Sequence, residues 1–264
     1  SEWDRHPGPE QDFGLKPHLN YEYYPVSALQ TPVYPLLVAA PRVGLEFVLD
    51  LLNQASECYQ NSSLAKEGEE GEGIEIIFSE TEKVRQICSE RLWKMHRGTC
   101  PNPNVLECVL MALEKWLLEV AEEFPENIIN GWCLFLLKNS NNVAITATVL
   151  SVVEAYPEKL FKISCILLRT KEIFHYDISR QIAESGANFL KGWNPNGEIF
   201  DKERIASNNL EFRRTLFEHA IVNYQIRKGN LSEEDFNNRT AVLYKNIDQT
   251  TEDMENWDLN YRYA

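Results

Sequence analysis

From Asn104 to Tyr244 the chain is a succession of helix-length apolar patterns with short breaks, and that leaves few folds open to it. The stretches VLECVLMALEKWLLEVAEEF, NVAITATVLSVVEAY and LFKISCILL follow one another with room between them only for turns. A helix of this kind has an apolar side that needs covering, and its neighbours supply the cover. The pattern predicts a mainly α fold: an irregular HEAT-like α-solenoid, or helical array, without a strict sequence period.

The periodicity places individual residues. Leu106, Val109, Leu110, Leu113, Trp116, Leu117 and Val120 fall on one helical face, with Glu114, Lys115, Glu119 and Glu122 opposite. Asn104 with Glu107 three residues on predicts a capping-box-like start. A short apolar helix follows over Ile128 to Leu137. Val143 to Tyr156 is apolar or small nearly all round, so it is expected to be covered on several sides. Pro157 opens the next helix, Ile173 to Leu190 forms another, and a loop over 192–197 precedes a long helix from about Asn208 to Lys228. Leu210, Leu216, Phe217, Ile221 and Tyr224 would face inward there, and Ser232 with Asp235 would start the last helix.

The N-terminal part reads differently. Residues 1–32 form an extended segment rich in proline and tyrosine that could wrap over a neighbouring surface. Residues 33–100 form a helical segment with an acidic loop and a small β-hairpin, and residues 101–264 form the array. Val43, Phe47, Leu51 and Gln54 mark one face of the helix before the loop, with Leu52 and Ala55 beside that face. The loop itself, Asn61 to Gly73, is glycine-rich and acidic, and IEIIF and KVRQI on either side of SETE predict the hairpin.

Composition narrows the function classes. Forty Asp and Glu against 26 Lys and Arg give a formal charge of −14, which repels nucleic acid, and no concentrated basic patch offsets it. The richest basic stretch, Arg204 to Arg214 with Lys202, is diluted by Glu203 and Glu211. No apolar run approaches the roughly 18 to 20 residues of a membrane span. The opening SEWDRHPGPEQ carries no secretion signal or initiator methionine, and the chain stops at WDLNYRYA. The expectation is a fragment of a larger cytoplasmic protein whose six scattered cysteines are reduced.

Candidate chemistry is sparse. The glycines at 68, 71 and 73 lack the phosphate-loop pattern. Cys88, His96, Cys100 and Cys108 lack the close cysteine pair of a zinc site, and no metal or other cofactor is expected. His175, Asp177 and Arg180 make the most polar cluster of the array. Asp177 is expected to brace a helix turn and pair with Arg180, while an acid–base role for His175 oriented by Asp177 is the enzyme alternative. Trp193, Asn194 and Asn196, in a glycine- and proline-containing loop, are candidate protein contacts, as are His175, Asp177 and Arg180. Trp93 and Trp116 read as core.

Four strings, YYPVSALQTPVYPLL, RLWKMHRGT, VLMALEKWLLE and NVAITATVLSVVEAYP, together resemble the helical region of large bacterial antiviral STAND-class ATPases, the Avs family. The resemblance covers most of residues 20–185. It implies a modular parent in which an effector is joined to an ATPase that uses ATP and Mg, and to a helical sensor that binds a phage protein or other domains of the same chain. Only the helical region carries over, without catalytic residues. The expected function is a non-catalytic recognition or relay segment that binds protein and neither nucleic acid nor membrane. The alternatives are a helical scaffold unconnected with defence and an enzyme with a site near His175 and Asp177.

Overall fold

The computed structural model describes residues 9–16, 22–67, 73–186 and 198–254, in which twelve α-helices and one two-stranded antiparallel sheet are formed. The fold is mainly helical with a small β-hairpin, as the apolar patterning predicts. Helix α1 (Val33–Ala39) runs into α2 (Pro41–Gln60), where Pro41 occupies the first turn, the position at which its missing N–H costs nothing. A short α3 (Ser63–Glu67) lies within what the sequence suggested was wholly loop.

The face of α2 differs from the expected one. Leu45, Val48, Leu49, Leu52, Ala55 and Tyr59 are buried, while Val43 and Phe47 are exposed. Both sets have helical spacing; the choice between them is made by α1 and α5, which pack on the former.

Strand β1 (Ile74–Ile77) pairs with β2 (Lys83–Gln86) in a register that sets Ile74 opposite Gln86. A lone hairpin is marginal in water, and this one is fastened to the helices. The Gln86 side chain donates to Ser140 O at 3.3 Å and accepts from Thr146 Oγ1 at 2.7 Å. Beyond the strand, Ile87 N–H donates to Asn141 O at 2.7 Å and Ile87 O accepts from Val143 N–H at 3.0 Å. From the other side Arg169 Nη1 donates to Phe78 O at 2.6 Å.

Helix α4 (Glu90–Lys94) starts on Ser89, whose Oγ accepts from Leu92 N–H at 3.0 Å. A 3₁₀ turn over Met95–Arg97 ends at Gly98 with φ +60°. A Cβ there would meet Glu107 Oε2 at 3.0 Å and Arg204 Nη2 at 3.2 Å, so both φ and space favour glycine. Helix α5 (Asn104–Glu123) then begins on Pro103 with no side-chain cap; the expected capping box does not form because Asn104 is already the first helical residue and Pro103 holds the cap position.

Helices α6 (Glu126–Asn139) and α7 (Val143–Ala155) follow. Every residue of α7 from Val143 to Glu154 is buried. The helix is enclosed by α4, α5, α6 and by three later elements, the helices over Phe161–Leu167 and Phe217–Ile226 and a 3₁₀ turn over Glu211–Arg214, the covering expected of a sequence that is apolar or small all round. Asn142 caps it, accepting from Ile145 N–H at 3.4 Å.

The segment after Pro157 is a turn, and α8 spans only Phe161–Leu167. Tyr224 Oη secures that turn by donating to Pro157 O at 2.7 Å. Helix α9 covers Glu172–Gly186, and the expected loop over 192–197 lies outside the described residues.

The single long helix expected from Asn208 to Lys228 is instead a 3₁₀ turn (Glu211–Arg214) followed by the shorter α11 (Phe217–Ile226), and a helix that was not expected, α10 (Glu198–Asn208), ends where it was to begin. The break has two causes remote in sequence. Arg213 is drawn inward to the Glu114 carboxylate, and Asp177 Oδ2 accepts from Phe217 N–H at 2.8 Å, starting α11 from another helix. Leu210 is consequently exposed at 38%, whereas Phe217, Ile221 and Tyr224 are inward as expected. The last helix, α12 (Glu233–Met254), begins at Ser232, whose Oγ accepts from Asp235 N–H at 3.0 Å. One apolar cluster, from Phe13 to Leu243, joins these elements. Among the described residues no helix is long and apolar enough to cross a membrane.

Candidate protein-binding site

Asp177 and Arg180 meet as their spacing suggested, with Arg180 Nε donating to Asp177 Oδ1 at 2.7 Å, and both are buried. His175, two residues from Asp177 and so on another side of α9, is exposed with its ring edge-on to Tyr176. The structure therefore brings Asp177 and Arg180 together and leaves His175 apart from them. Trp193, Asn194 and Asn196 lie outside the described residues.

The Asp177–Arg180 pair is one end of a chain of buried charges that the sequence did not reveal. Arg180 also reaches Glu154 Oε1 at 3.1 Å and Glu184 Oε1 at 3.2 Å. Glu184 Oε1 accepts from Arg97 Nε at 2.9 Å, and Arg97 Nη1 stands 3.9 Å from Glu114 Oε2. Arg213 grips Glu114 through both oxygens, at 2.5 and 2.6 Å, and Ser151 Oγ donates to the same carboxylate. Arg204 Nη2 donates to Arg97 O. Arg204 and Arg213, from the diluted basic stretch, are thus interior groups, and Glu114, expected in solvent, is 2% exposed.

These charges titrate according to their neighbours. Burial alone would raise Glu114, but Arg213 and Arg97 hold its carboxyl well below the usual carboxylate range. Glu184 is likewise lowered, against burial, by Arg97 and Arg180. Burial raises Glu154 well above the ordinary value, with Asp177 adding to the shift and Arg180 opposing it. Burial pushes Glu107 up to about 8 despite Arg204, and His96 down to about 3, so that imidazole is neutral. Three arginines and four carboxylates fasten two 3₁₀ turns to α5, α7 and α9, which makes this network a clamp on helix positions. Among the described residues no group of three or more His, Cys, Asp or Glu side chains is placed to hold a metal ion.

What the clamp holds in place is a surface at the C-terminal end of α5. Residues 122–128, EEFPENI, are all exposed, so three glutamates alternate with Phe124 and Ile128. On one side lies a groove of about 420 Å³ whose apolar wall includes Val38, Trp116, Phe124, Ile128 and Trp132, with Glu119 and Glu123 at its edge. Val38 is 56% exposed, Phe124 46% and Ile128 39%. On the other side Glu119 and Glu122 edge a second groove of about 500 Å³, walled by Leu118, Tyr156, Leu210 and Phe212.

This end of α5 is unfavourably charged. The helix C-terminus carries the negative end of the dipole, and the last turn has Glu122 and Glu123 and no basic residue. Lys159 supplies one cation, donating through Nζ to Ala121 O at 2.6 Å and Phe124 O at 3.2 Å. The field is felt by two phenols. Burial, with Glu119 and Glu123 close by, pushes Tyr34 up to about 12, and burial with Glu122 raises Tyr156. The surrounding rings already attract cations: Lys115 Nζ lies 5.2 Å from the Tyr34 ring and bonds Glu119 at 2.7 Å, and the Arg42 guanidinium lies 4.0 Å over Phe135 while bonding Glu46 at 2.6 Å. Comparison of the sequence with protein-family models and with curated proteins gives no match.

Proposed function

We propose that this chain is a non-catalytic recognition and relay segment of a large cytoplasmic ATP-binding protein of bacterial antiphage defence, and that its task is to bind protein. The family part of this reading rests on the resemblance of four helical strings to STAND-class antiviral ATPases. ATP and Mg belong, on this reading, to other parts of the parent. The observation that carries the binding part is the exposed apolar groove beside α5, held by a helical framework whose internal charges are paired. Large apolar side chains grouped on a surface with charged edges are characteristic of protein contacts. The described residues supply a shape to be recognised, and the reading assigns them no bond-making step.

The test is made in bacteria carrying the complete gene that encodes this chain, challenged with a panel of phages. Protection against at least one phage is expected, as is its loss in the double variant Phe124→Ser, Ile128→Ser with protein abundance unchanged. Equal phage growth with and without the gene across the panel overturns the defence reading. Protection that survives the double variant overturns the assignment of recognition to this face.

A further inference from the structure

The occupant of the groove beside α5 can be specified by its chemistry. The wall formed by Val38, Trp116, Phe124, Ile128 and Trp132 offers apolar and aromatic surface to large side chains. The edge offers carboxylates, and Glu122 and Glu123 stand where the helix dipole already makes negative charge costly. A positive group brought there relieves that repulsion, a gain that a neutral or acidic ligand cannot draw on. The protein satisfies the same demand internally three times, with Lys115 at Tyr34 and Glu119, Arg42 at Phe135 and Glu46, and Lys159 on the last carbonyls of α5. Two of these three set a cation against both a carboxylate and an aromatic ring.

We infer that the groove binds a basic segment of a partner protein in which lysine or arginine side chains flank large apolar ones, the cations pairing with Glu123 on its edge, in the field of the neighbouring Glu122, and the apolar groups seating against Phe124, Ile128 and Trp132. This inference rests on the protein-binding part of the proposed function and adds the partner's chemistry to it. Arginine suits the site best, because its planar guanidinium stacks on rings and pairs with carboxylates at once. The acidic surface as a whole steers such a segment inward, and the groove fixes it.

Binding of three labelled synthetic peptides of equal length to the purified chain, read by fluorescence anisotropy, tests this. One alternates arginine and leucine at helical spacing, one holds only arginine and serine, and one replaces arginine by glutamate. The first is expected to bind at least about tenfold more tightly than either other. Glu122→Gln with Glu123→Gln, and separately Phe124→Ser, are each expected to weaken it about fivefold or more. Glu80→Gln with Glu234→Gln removes the same charge from exposed sites elsewhere and is expected to leave binding unchanged. All five positions are exposed, and circular dichroism checks that each variant is folded.

Equal weakening by the remote pair would mean that overall charge binds the peptide, and would overturn the inference. So would equal affinity for the arginine–serine peptide, an effect of neither groove variant, or tighter binding of the glutamate peptide. The peptide assay and the phage challenge fail separately. Peptide binding without phage protection leaves the inference standing and removes the defence role. Protection that depends on Phe124 and Ile128 without peptide binding does the reverse, and points to a partner of other chemistry.

Discussion

Helix α5 carries glutamates of two kinds. Glu107 and Glu114 lie in the interior, one pushed up by burial and the other held down by Arg213 and Arg97. Glu119, Glu122 and Glu123, on the last turns of the same helix, edge two grooves. The residue type and the helix are the same, so the difference comes from what packs alongside. In the first region the two 3₁₀ turns and α10 bring guanidinium groups to the carboxylates, Arg97 and Arg213 to Glu114 and Arg204 to Glu107. In the second Glu119 accepts from Tyr34 and Lys115 at the surface, while Glu122 and Glu123 are exposed and their charge is left for solvent or a partner. A glutamate's place in a helical pattern does not fix its role; the arginines around it do.

The sharpest way to break this comparison is to remove a charge from each region. Glu114→Ala leaves Arg213 buried without its carboxylate and Arg97 with Glu184 alone, and is expected to cost about 3 to 5 kcal/mol in denaturant unfolding. An effect no larger than that of Glu119→Ala, expected to be about 1 kcal/mol or less, would erase the distinction. Asp177→Ala comes next. It removes the Arg180 pairing and the acceptor for Phe217 N–H, and about 3 kcal/mol is expected, with α11 showing the largest rise in amide exchange.

The interior carboxylates also differ from each other. Glu107 keeps its proton in the folded chain over a range, from about 4.5 to about 8, in which the unfolded chain has lost it. The folded state then binds more protons, so this group lowers stability as pH rises through that window. Glu114 acts oppositely: its contribution is present above the ordinary carboxylate value and is lost as pH falls below it. Unfolding of Glu107→Gln followed from pH 5 to pH 8 is expected to show a gain over the parent chain that grows with pH and exceeds about 1 kcal/mol at the top. A constant difference would count against the Glu107 assignment. The smallest effect is expected at the surface. Glu122→Gln with Glu123→Gln should raise stability by a few tenths of a kcal/mol in low salt, through the helix dipole, and the gain should fade as salt is added.

Much of the framework was legible because its causes are local. Alternation and turn residues marked the hairpin, and an all-round apolar sequence marked α7 as enclosed. Trp93 and Trp116 were placed in the core, and the spacing of Asp177 and Arg180 showed their pairing. The failures share a physical reason. Arg213 and Glu114 are 99 positions apart, and Phe217 takes its hydrogen bond from Asp177 across 40. No periodicity encodes such partners, so Glu114 was placed in solvent and one long helix was expected where a 3₁₀ turn and a shorter helix stand. On α2, two faces of equal spacing competed, and only the packing of α1 and α5 decided between them. The groove was hidden for a related reason. EEFPENI reads as an ordinary helix junction until Val38, from another part of the chain, is seen beside it.

Lys159 gives the corner at Phe124 a further meaning. Its ammonium is the fastening between the end of α5 and the turn before α8, and Tyr224 ties the same turn to α11 through Pro157. Two side chains, Lys159 and Tyr224, thus link the lip of the groove to α11. If that lip is tilted, either the ammonium lets go or the turn is hauled along with it, so the joint works as a linkage rod between remote parts of the molecule.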